Sequence, residues 1–492
     1  MSGRSESVAG LSAAVDTMLS RAAGSSVLAV GDLMLDRFVT GRVERISPEA
    51  PIPVLAVERE TVMPGGVGNV VANIRALGGE ARLVAVVGED AEAEHLASLL
   101  SPSADMGFVH DPGRPTAVKA RFIAGGQQLL RADYELNRPI SPKIEERILD
   151  EIERRLHGIG ALILSDYGKG VLTNRILLAA IASASAQGIP VVVDPKGADY
   201  ARYRGATVVT PNLKELAEAA GFASVGDSKV EEAARGVLAK SGIGAMVVTR
   251  GAEGLSVVRM NAVPVHVRAQ AREVFDVSGA GDTVVATLAL ALATGADLPM
   301  AARIANLAAS IVVGKIGTAS ASGDELRGAA DEVGQFGSKL KTGAALIDQI
   351  ERWRRRGLRV GFTNGCFDLL HPGHLSLIRQ ARAACDRLVV GLNSDASVER
   401  LKGPTRPVQN EASRAEVLSA IADVDAISIF HEDTPMRLIE EIRPDVLVKG
   451  ADYDIEQIVG AEFVMSYGGN VLRAKLEPGH STTAVIARMG AR

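Results

Sequence analysis

The chain has 492 residues, 47% of them hydrophobic and 23% charged, with a formal net charge of −5. That length exceeds the ~250–300 residues at which a single core stops growing, so more than one domain is expected. The charge excludes a global basic field for nucleic acid or anionic lipid, so any phosphate must be bound locally. Two cysteines, Cys366 and Cys385, are too few for a disulfide framework and wrongly spaced for zinc, which fits reduced thiols in a cytoplasmic protein. The first 25 residues contain Arg4, Asp16 and Arg21 and do not read as a signal peptide. The longest apolar run, Val284–Ala293, is shorter than the ~20 residues of a membrane-spanning helix, so no membrane insertion is expected.

From Val27 to Gly314, short apolar segments alternate with helical patterns. Strands are predicted at Val27–Val30, Arg82–Val87, Ala161–Leu164, Val191–Val193, Val208–Val209 and Ala245–Thr249, with helices such as Glu145–Leu156 and Ile176–Gln187. Such alternation predicts a mostly parallel α/β sheet covered on both faces. Gly317–Lys341, rich in Gly, Ser, Ala and charge, reads as a linker. A helix at Gly343–Arg356 then leads into a second series: Arg359–Thr363, Leu388–Leu392, Ala426–Phe430, Val446–Lys449 and Asn470–Arg473. Two domains, 1–335 and 343–492, are expected.

The sharpest N-terminal signal is Asp276-Val-Ser-Gly-Ala-Gly-Asp282, running straight into the apolar helix. Small residues at a helix start leave backbone N–H groups that, with the helix dipole, make an anion hole. Asp282 at the same turn can accept the proton of an attacking hydroxyl, which is much of what phosphoryl transfer requires. Gly65-Gly66-Val-Gly-Asn69 is a second Gly-rich turn; Thr210-Pro-Asn-Leu-Lys-Glu215 and Thr249-Arg-Gly-Ala-Glu-Gly254 each follow a strand. In this order, from about Val27 to Gly317, these segments resemble the ribokinase-like, or PfkB, carbohydrate kinases, whose fold is a parallel sheet core with a small lid. The resemblance implies Asp282 as catalytic base and Gly279, Ala280 and Gly281 as anion hole. It implies Asn212 and Glu215 near ATP and Mg²⁺ (Glu215 indirectly), Thr249 and Gly251 on the nucleotide side, and Asp36, Gly65, Gly66 and Asn69 on the sugar. Gly31–Arg37, Arg45–Pro51 and Gln128–Arg131 with Asp133 look most like heptose-phosphate kinases. A substrate phosphate needs a cationic clamp, for which Arg37, Lys119, Arg121 and Arg131 are unranked candidates.

Thr363-Asn-Gly-Cys-Phe-Asp-Leu-Leu-His371-Pro-Gly-His374 places two histidines at i and i+3 on one face of a helix start. Such a pair can hold an α-phosphate as charge builds on it, and no third ligand with zinc spacing is evident. This segment, with Gly391–Asp395, Leu401–Gly403, Arg406–Val408, Val448–Asp452 and His480–Thr483 in order, resembles the cytidylyltransferase-like nucleotidyltransferases, which have a Rossmann-like α/β fold. The resemblance implies His371 and His374 at the α-phosphate, and Lys402, Ser481, Thr482 and Thr483 on the β- and γ-phosphates. Asn393 and Asp395 would lie near the nucleotide or sugar phosphate, and Lys449 to Asp452 near the base. Arg414 is assigned no role.

The two halves in this order resemble bifunctional heptose 7-phosphate kinase/heptose 1-phosphate adenylyltransferases of ADP-heptose synthesis for the lipopolysaccharide core. That implies ATP as substrate twice, Mg²⁺, heptose phosphates as small-molecule partners, no nucleic acid, and a homodimer formed through the kinase domain. The residues alone reach "sugar kinase plus nucleotidyltransferase". They leave open another sugar kinase fused to a cytidylyltransferase, or a nucleotide-sensing scaffold.

Overall fold

Alternating strand and helix govern both halves of the computed structural model, which describes residues 3–100, 104–269, 276–315, 317–451 and 454–475. The chain divides into two compact units, one of Leu11–Ala330 and one of Asp331–Arg492 together with Met1–Gly10.

In the first unit the strands are β1 Ser26–Gly31, β2 Leu33–Ile46, β3 Pro53–Gly66, β4 Glu80–Val87, β5 Ala104–His110, β6 Ala117–Ala124, β7 Gln127–Tyr134, β8 Ala161–Ser165, β9 Val191–Asp194, β10 Val208–Val209, β11 Met246–Thr249, β12 Leu255–Val258 and β13 Val265–Val267. Among the described residues they make a nine-stranded sheet, ordered β13-β12-β11-β10-β9-β8-β1-β4-β5, and a four-stranded one, β3-β2-β6-β7. The large sheet is parallel from β5 to β11, with β12 and β13 antiparallel at one edge. Its central strands are apolar on both faces because helices cover both. Leu28, Val30, Leu162 and Leu164 pack with Ile144, Ile148, Ile152 and Leu156 of the helix Pro142–Leu156. The helix Ala280–Ala293 is buried from Asp282 to Ala291, so its apolar run is a core element as expected. Every strand predicted from the sequence in this half is present; the four strands of the small sheet were not among them.

The second unit carries β14 Val360–Gly365, β15 Arg387–Asn393, β16 Ala426–Phe430, β17 Val446–Gly450 and β18 Asn470–Ala474 in one parallel sheet, ordered β16-β15-β14-β17-β18. Alternate residues serve opposite faces. Phe362, Val389 and Leu447 join one cluster with Leu346, Ile350 and Trp353, and Val390, Val446 and Val448 join another with Ile378 and Leu418.

The expected linker is largely a helix, Gly323–Lys339. Its start is a reciprocal cap: Glu325 N donates to Ser322 Oγ at 3.2 Å and Ser322 N to the Glu325 carboxylate at 2.8 Å. Leu326, Ala329 and Ala330 are buried, which composition alone does not reveal. The division between the units falls inside this helix. Just beyond it, Lys339 Nζ donates to the carbonyls of Ser419 and Ile421 at 2.8 and 3.0 Å, and Lys341 N to that of Ile427 at 2.8 Å.

Candidate active sites

In the first unit β1, β8 and β9 lie side by side in register, Gly31 beside Ser165 and Ser165 beside Asp194. Their carboxyl ends therefore bring Asp32, Asp166, Tyr167 and Asp194 to one edge, where ligands bind in open α/β sheets. Asp282, in the first turn of its helix, reaches the same edge and is buried. Tyr167 donates its hydroxyl to Asp282 Oδ1 at 2.7 Å and Asn69 donates its amide to Oδ2 at 2.8 Å. Burial raises the Asp282 carboxyl to about 6; the two hydrogen bonds and nearby Lys119 oppose that rise and the charge of Asp36 adds to it. Asn69 is fixed in turn by Asn73, whose amide donates to the Asn69 backbone carbonyl at 2.9 Å, and Thr283 donates to Asn73 Oδ1 at 2.9 Å.

Glycine is required twice here. Gly279 caps the helix at φ 77°, and a Cβ there would lie 2.6 Å from the Asn69 amide nitrogen. A Cβ on Gly65 would lie 2.3 Å from an Asp36 carboxylate oxygen. The sequence-predicted residues Asp36, Gly65, Gly66, Asn69, Gly279, Ala280, Gly281 and Asp282 are thus brought together by β2, β3 and the starts of the helices Val67–Ala76 and Ala280–Ala293. Asp36 pairs with Arg121 at 2.5 Å.

Asn212 and Glu215 form a capping box on the helix Leu213–Ala220: Glu215 N donates to Asn212 Oδ1 at 2.9 Å and Asn212 N to Glu215 Oε2 at 3.1 Å. Glu215 also pairs with Lys196 at 3.0 Å. Thr249 ends β11 beside Asn212, and Gly251, at φ 56°, opens the following turn. Sequence reading missed Tyr167, Asp194 and Lys196; the Gly-punctuated Ser165-Asp-Tyr-Gly-Lys-Gly170 after a strand was the available signal for the first. Burial, then Asp282 and Glu215, push the Asp194 carboxyl well above its usual range, a surplus of negative charge that suits a nearby cation. Among the described residues no three His, Cys, Asp or Glu converge as a ligand cluster. The negative charge at Asp194 and Glu215 is compatible with Mg²⁺.

In the second unit β14 ends at Gly365 and the chain turns through Phe367, which is buried with φ 43°. His371 caps the helix Pro372–Ala383, and its ring stacks on His374 with centroids 3.8 Å apart and planes 22° apart. The Phe367 ring sits 5.1 Å from that of His374. Burial, then His371 and Lys402, lower His374 to about 4, so it is neutral at pH 7 and donates through one N–H. Lys402 closes the helix Asp395–Lys402, and its charge is among the causes that lower His374.

Arg414, left without a role by the sequence, is 1% exposed. It donates to the carbonyls of Cys366 at 2.5 Å and Gln409 at 3.0 Å, and to Asp395 at 2.7 Å. Asp368 accepts from the backbone of Val408 and Gln409 at 2.7 and 3.1 Å and pairs with Arg406 at 2.9 Å. Together they staple the histidine turn to the loop that follows Lys402. Lys449 donates to the Asn364 side chain at 2.9 Å, and Asn393 to Ser397 at 3.1 Å. Ser481, Thr482 and Thr483, and Asp452, lie outside the described residues.

A buried carboxylate at a helix start suits phosphoryl transfer, and two stacked histidines with a lysine nearby suit nucleotidyl transfer. Residues 25–324 match the pfkB family carbohydrate kinases and residues 362–488 the cytidylyltransferase-like family. The first unit resembles phosphofructokinase-2 of Escherichia coli (TM-score 0.54, 23% identity, 63% of this chain and 99% of that one) and a ribokinase of Arabidopsis thaliana (0.50, 19%, 62% and 99%), which speaks to fold alone. The whole chain is 56% identical over 470 residues to the bifunctional protein HldE of Paramagnetospirillum magneticum, covering 95% of this chain and 96% of that one. It is 52% identical over 472 residues to that of Caulobacter vibrioides, covering 95% and 97%. The chain belongs to the bifunctional HldE family, and it is an enzyme with carbohydrate kinase and nucleotidyltransferase domains.

Proposed function

We propose that the first unit phosphorylates D-glycero-D-manno-heptose 7-phosphate at C1 with ATP, and that the second transfers adenylyl from ATP to heptose 1-phosphate, releasing pyrophosphate. Between the two steps a separate phosphatase removes the 7-phosphate. The observation that carries the reading is the intact Asp282 arrangement in one unit together with the intact His371–His374–Lys402 arrangement in the other. Asp282 accepts the proton of the C1 hydroxyl as it attacks the γ-phosphorus, while the helix start at Gly279–Gly281 receives the negative charge of the moving group. Asn212, Glu215, Thr249 and Gly251 border the nucleotide. Glu215 and Asp194 would hold Mg²⁺, which would neutralise phosphate charge. In the second unit the sugar phosphate attacks the α-phosphorus directly; His371 and His374 donate to its oxygens and Lys402 meets the departing pyrophosphate.

We place the enzyme in the cytoplasm, in keeping with its reduced thiols; among the described residues no helix is long and apolar enough to cross a membrane. A homodimer through the four-stranded sheet is supported by the exposed Val43, Ile46, Val57, Leu130 and Tyr134 on its strands. Mass spectrometry of products from ATP or CTP with heptose 7-phosphate and heptose 1-phosphate tests the assignment. Heptose 1,7-bisphosphate from heptose 7-phosphate and ADP-heptose from heptose 1-phosphate, both with ATP, are the expected products; formation of a CDP-sugar, or no turnover of either heptose phosphate, would overturn it.

A further inference from the structure

Strands β2, β6 and β7 pair so that Asp36, Lys119 and Asp133 form one row across the small sheet, and Phe38, Arg121 and Arg131 the next. Paired residues share a face, and so do residues two apart on a strand. Three cations and two carboxylates therefore occupy one patch. That face looks onto the catalytic edge: Lys119 Nζ stands 5.8 Å from the centre of the Tyr167 ring, whose hydroxyl binds Asp282. Met63, paired with Asp36, also meets Thr318 at 3.4 Å. Arg37 falls on the other face, where it pairs with Glu60 at 3.1 Å and Glu92 at 3.7 Å.

Resting on the kinase reading above, we infer that Lys119, Arg121 and Arg131 form the seat for the phosphate that the sugar substrate already carries, and that Arg37 takes no part in it. Arg121 and Arg131 stand directly opposite one another on antiparallel neighbours, a like-charge pairing that repels. Each has its own carboxylate, Arg121 with Asp36 at 2.5 Å and Arg131 with Asp133 at 2.8 Å. Lys119 has no ion pair among the described residues, so the patch keeps one positive charge in excess. Burial, then the charge of neighbouring Lys169, hold the Lys119 ammonium below its ordinary range, a cost that an arriving dianion removes. A phosphoryl group with three acceptor oxygens converts the opposed guanidinium groups into shared donors. Lys119 flanks the Tyr167 ring whose hydroxyl binds the base, so the seat and the reacting end of one sugar phosphate belong to a single site.

The test measures kinase KM and kcat on the full chain for heptose 7-phosphate and for the same heptose without phosphate, in Lys119→Gln, Arg131→Gln and Lys119→Arg. Loss of a charged donor is worth about 10–100-fold in binding. Each glutamine variant should raise KM for the phosphorylated sugar by roughly that factor and shrink the preference for it over the plain heptose equally. Lys119→Arg should keep most of the preference. Inorganic phosphate should compete with the sugar phosphate in the unaltered enzyme, and less well in the glutamine variants. A preference unchanged by both glutamine variants, an equal loss on both sugars, or a rise in KM for ATP alone would overturn the seat. If the unaltered enzyme shows no preference for the phosphorylated sugar, the kinase reading and the seat fail together.

Discussion

The hydroxyl of Tyr167 donates to Asp282 Oδ1 at 2.7 Å, tying the loop after β8 to the carboxylate at the start of the helix Ala280–Ala293. That bond stabilises the ionised carboxylate, which burial otherwise disfavours, and Asp282 titrates at about 6. Only the ionised form accepts a proton, so kinase kcat should fall as pH drops through about 6. Tyr167→Phe removes a bond to the charged form and should move this acid limb upward by on the order of one pH unit, as a pH–rate profile would show. A limb that stays in place would sever Tyr167 from the base.

Asp282→Asn keeps the shape and removes the base. Kinase kcat should drop by at least ~10²-fold while ATP binding, read by calorimetry, survives. Near-normal phosphorylation would sink the assignment.

His371→Ala and His374→Ala should each lower adenylyltransferase kcat by ~10²-fold or more, since a preorganised donor to the transition state is lost. Lys402→Ala should weaken both ATP binding and turnover. Pyrophosphate release reads these effects, with kinase activity on the same preparation as control. Loss of both activities in His374→Ala would contradict independent chemistry.

Arg414→Ala leaves the carbonyls of Cys366 and Gln409 without their donor and Asp395 without its cation. The cost should be on the order of 3 kcal/mol, roughly 10 °C in the melting transition of the second unit. Adenylyl transfer should fall with kinase activity intact, and a melting curve that does not move would refute the strut.

Each unit holds its own core, so fragments 1–335 and 343–492 should fold and keep their own activities. A fragment beginning at Asp331 keeps the bonds from Lys339 and Lys341 and should melt several degrees above one beginning at Gly343. Equal melting temperatures would show that those bonds contribute nothing.

Buried parallel strands such as Val191–Asp194 and Val446–Gly450 were legible because both faces are apolar and no alternative reading competes. The small sheet was not: β2 is largely buried over Leu33–Val39, Asp36 included, and exposed beyond Gly41, while β3 is exposed over Ala56–Glu60 and β7 over nearly all its length, so no period-two signal marks them. The helix Gly323–Lys339 was hidden by its glycines, although Ser322 and Glu325 spell a capping box. At the sites, Asp282, His371 and His374 were visible because each follows a turn of fixed wording. Tyr167 and Arg414 act through partners 115 and 48 residues away, distances that only the fold brings together.

Phe367 holds its buried ring beside His374 from a backbone position, φ 43°, that costs a bulky L-residue about 1–2 kcal/mol. A glycine in its place would relieve that backbone and take away the ring. Losing a buried aromatic ring costs about 3–5 kcal/mol, more than the relieved backbone returns, so stability and adenylyl transfer both keep the phenylalanine. The histidine turn therefore carries its strained backbone on the packing of the residue that strains it, and a change at this position would loosen the fold and the site together.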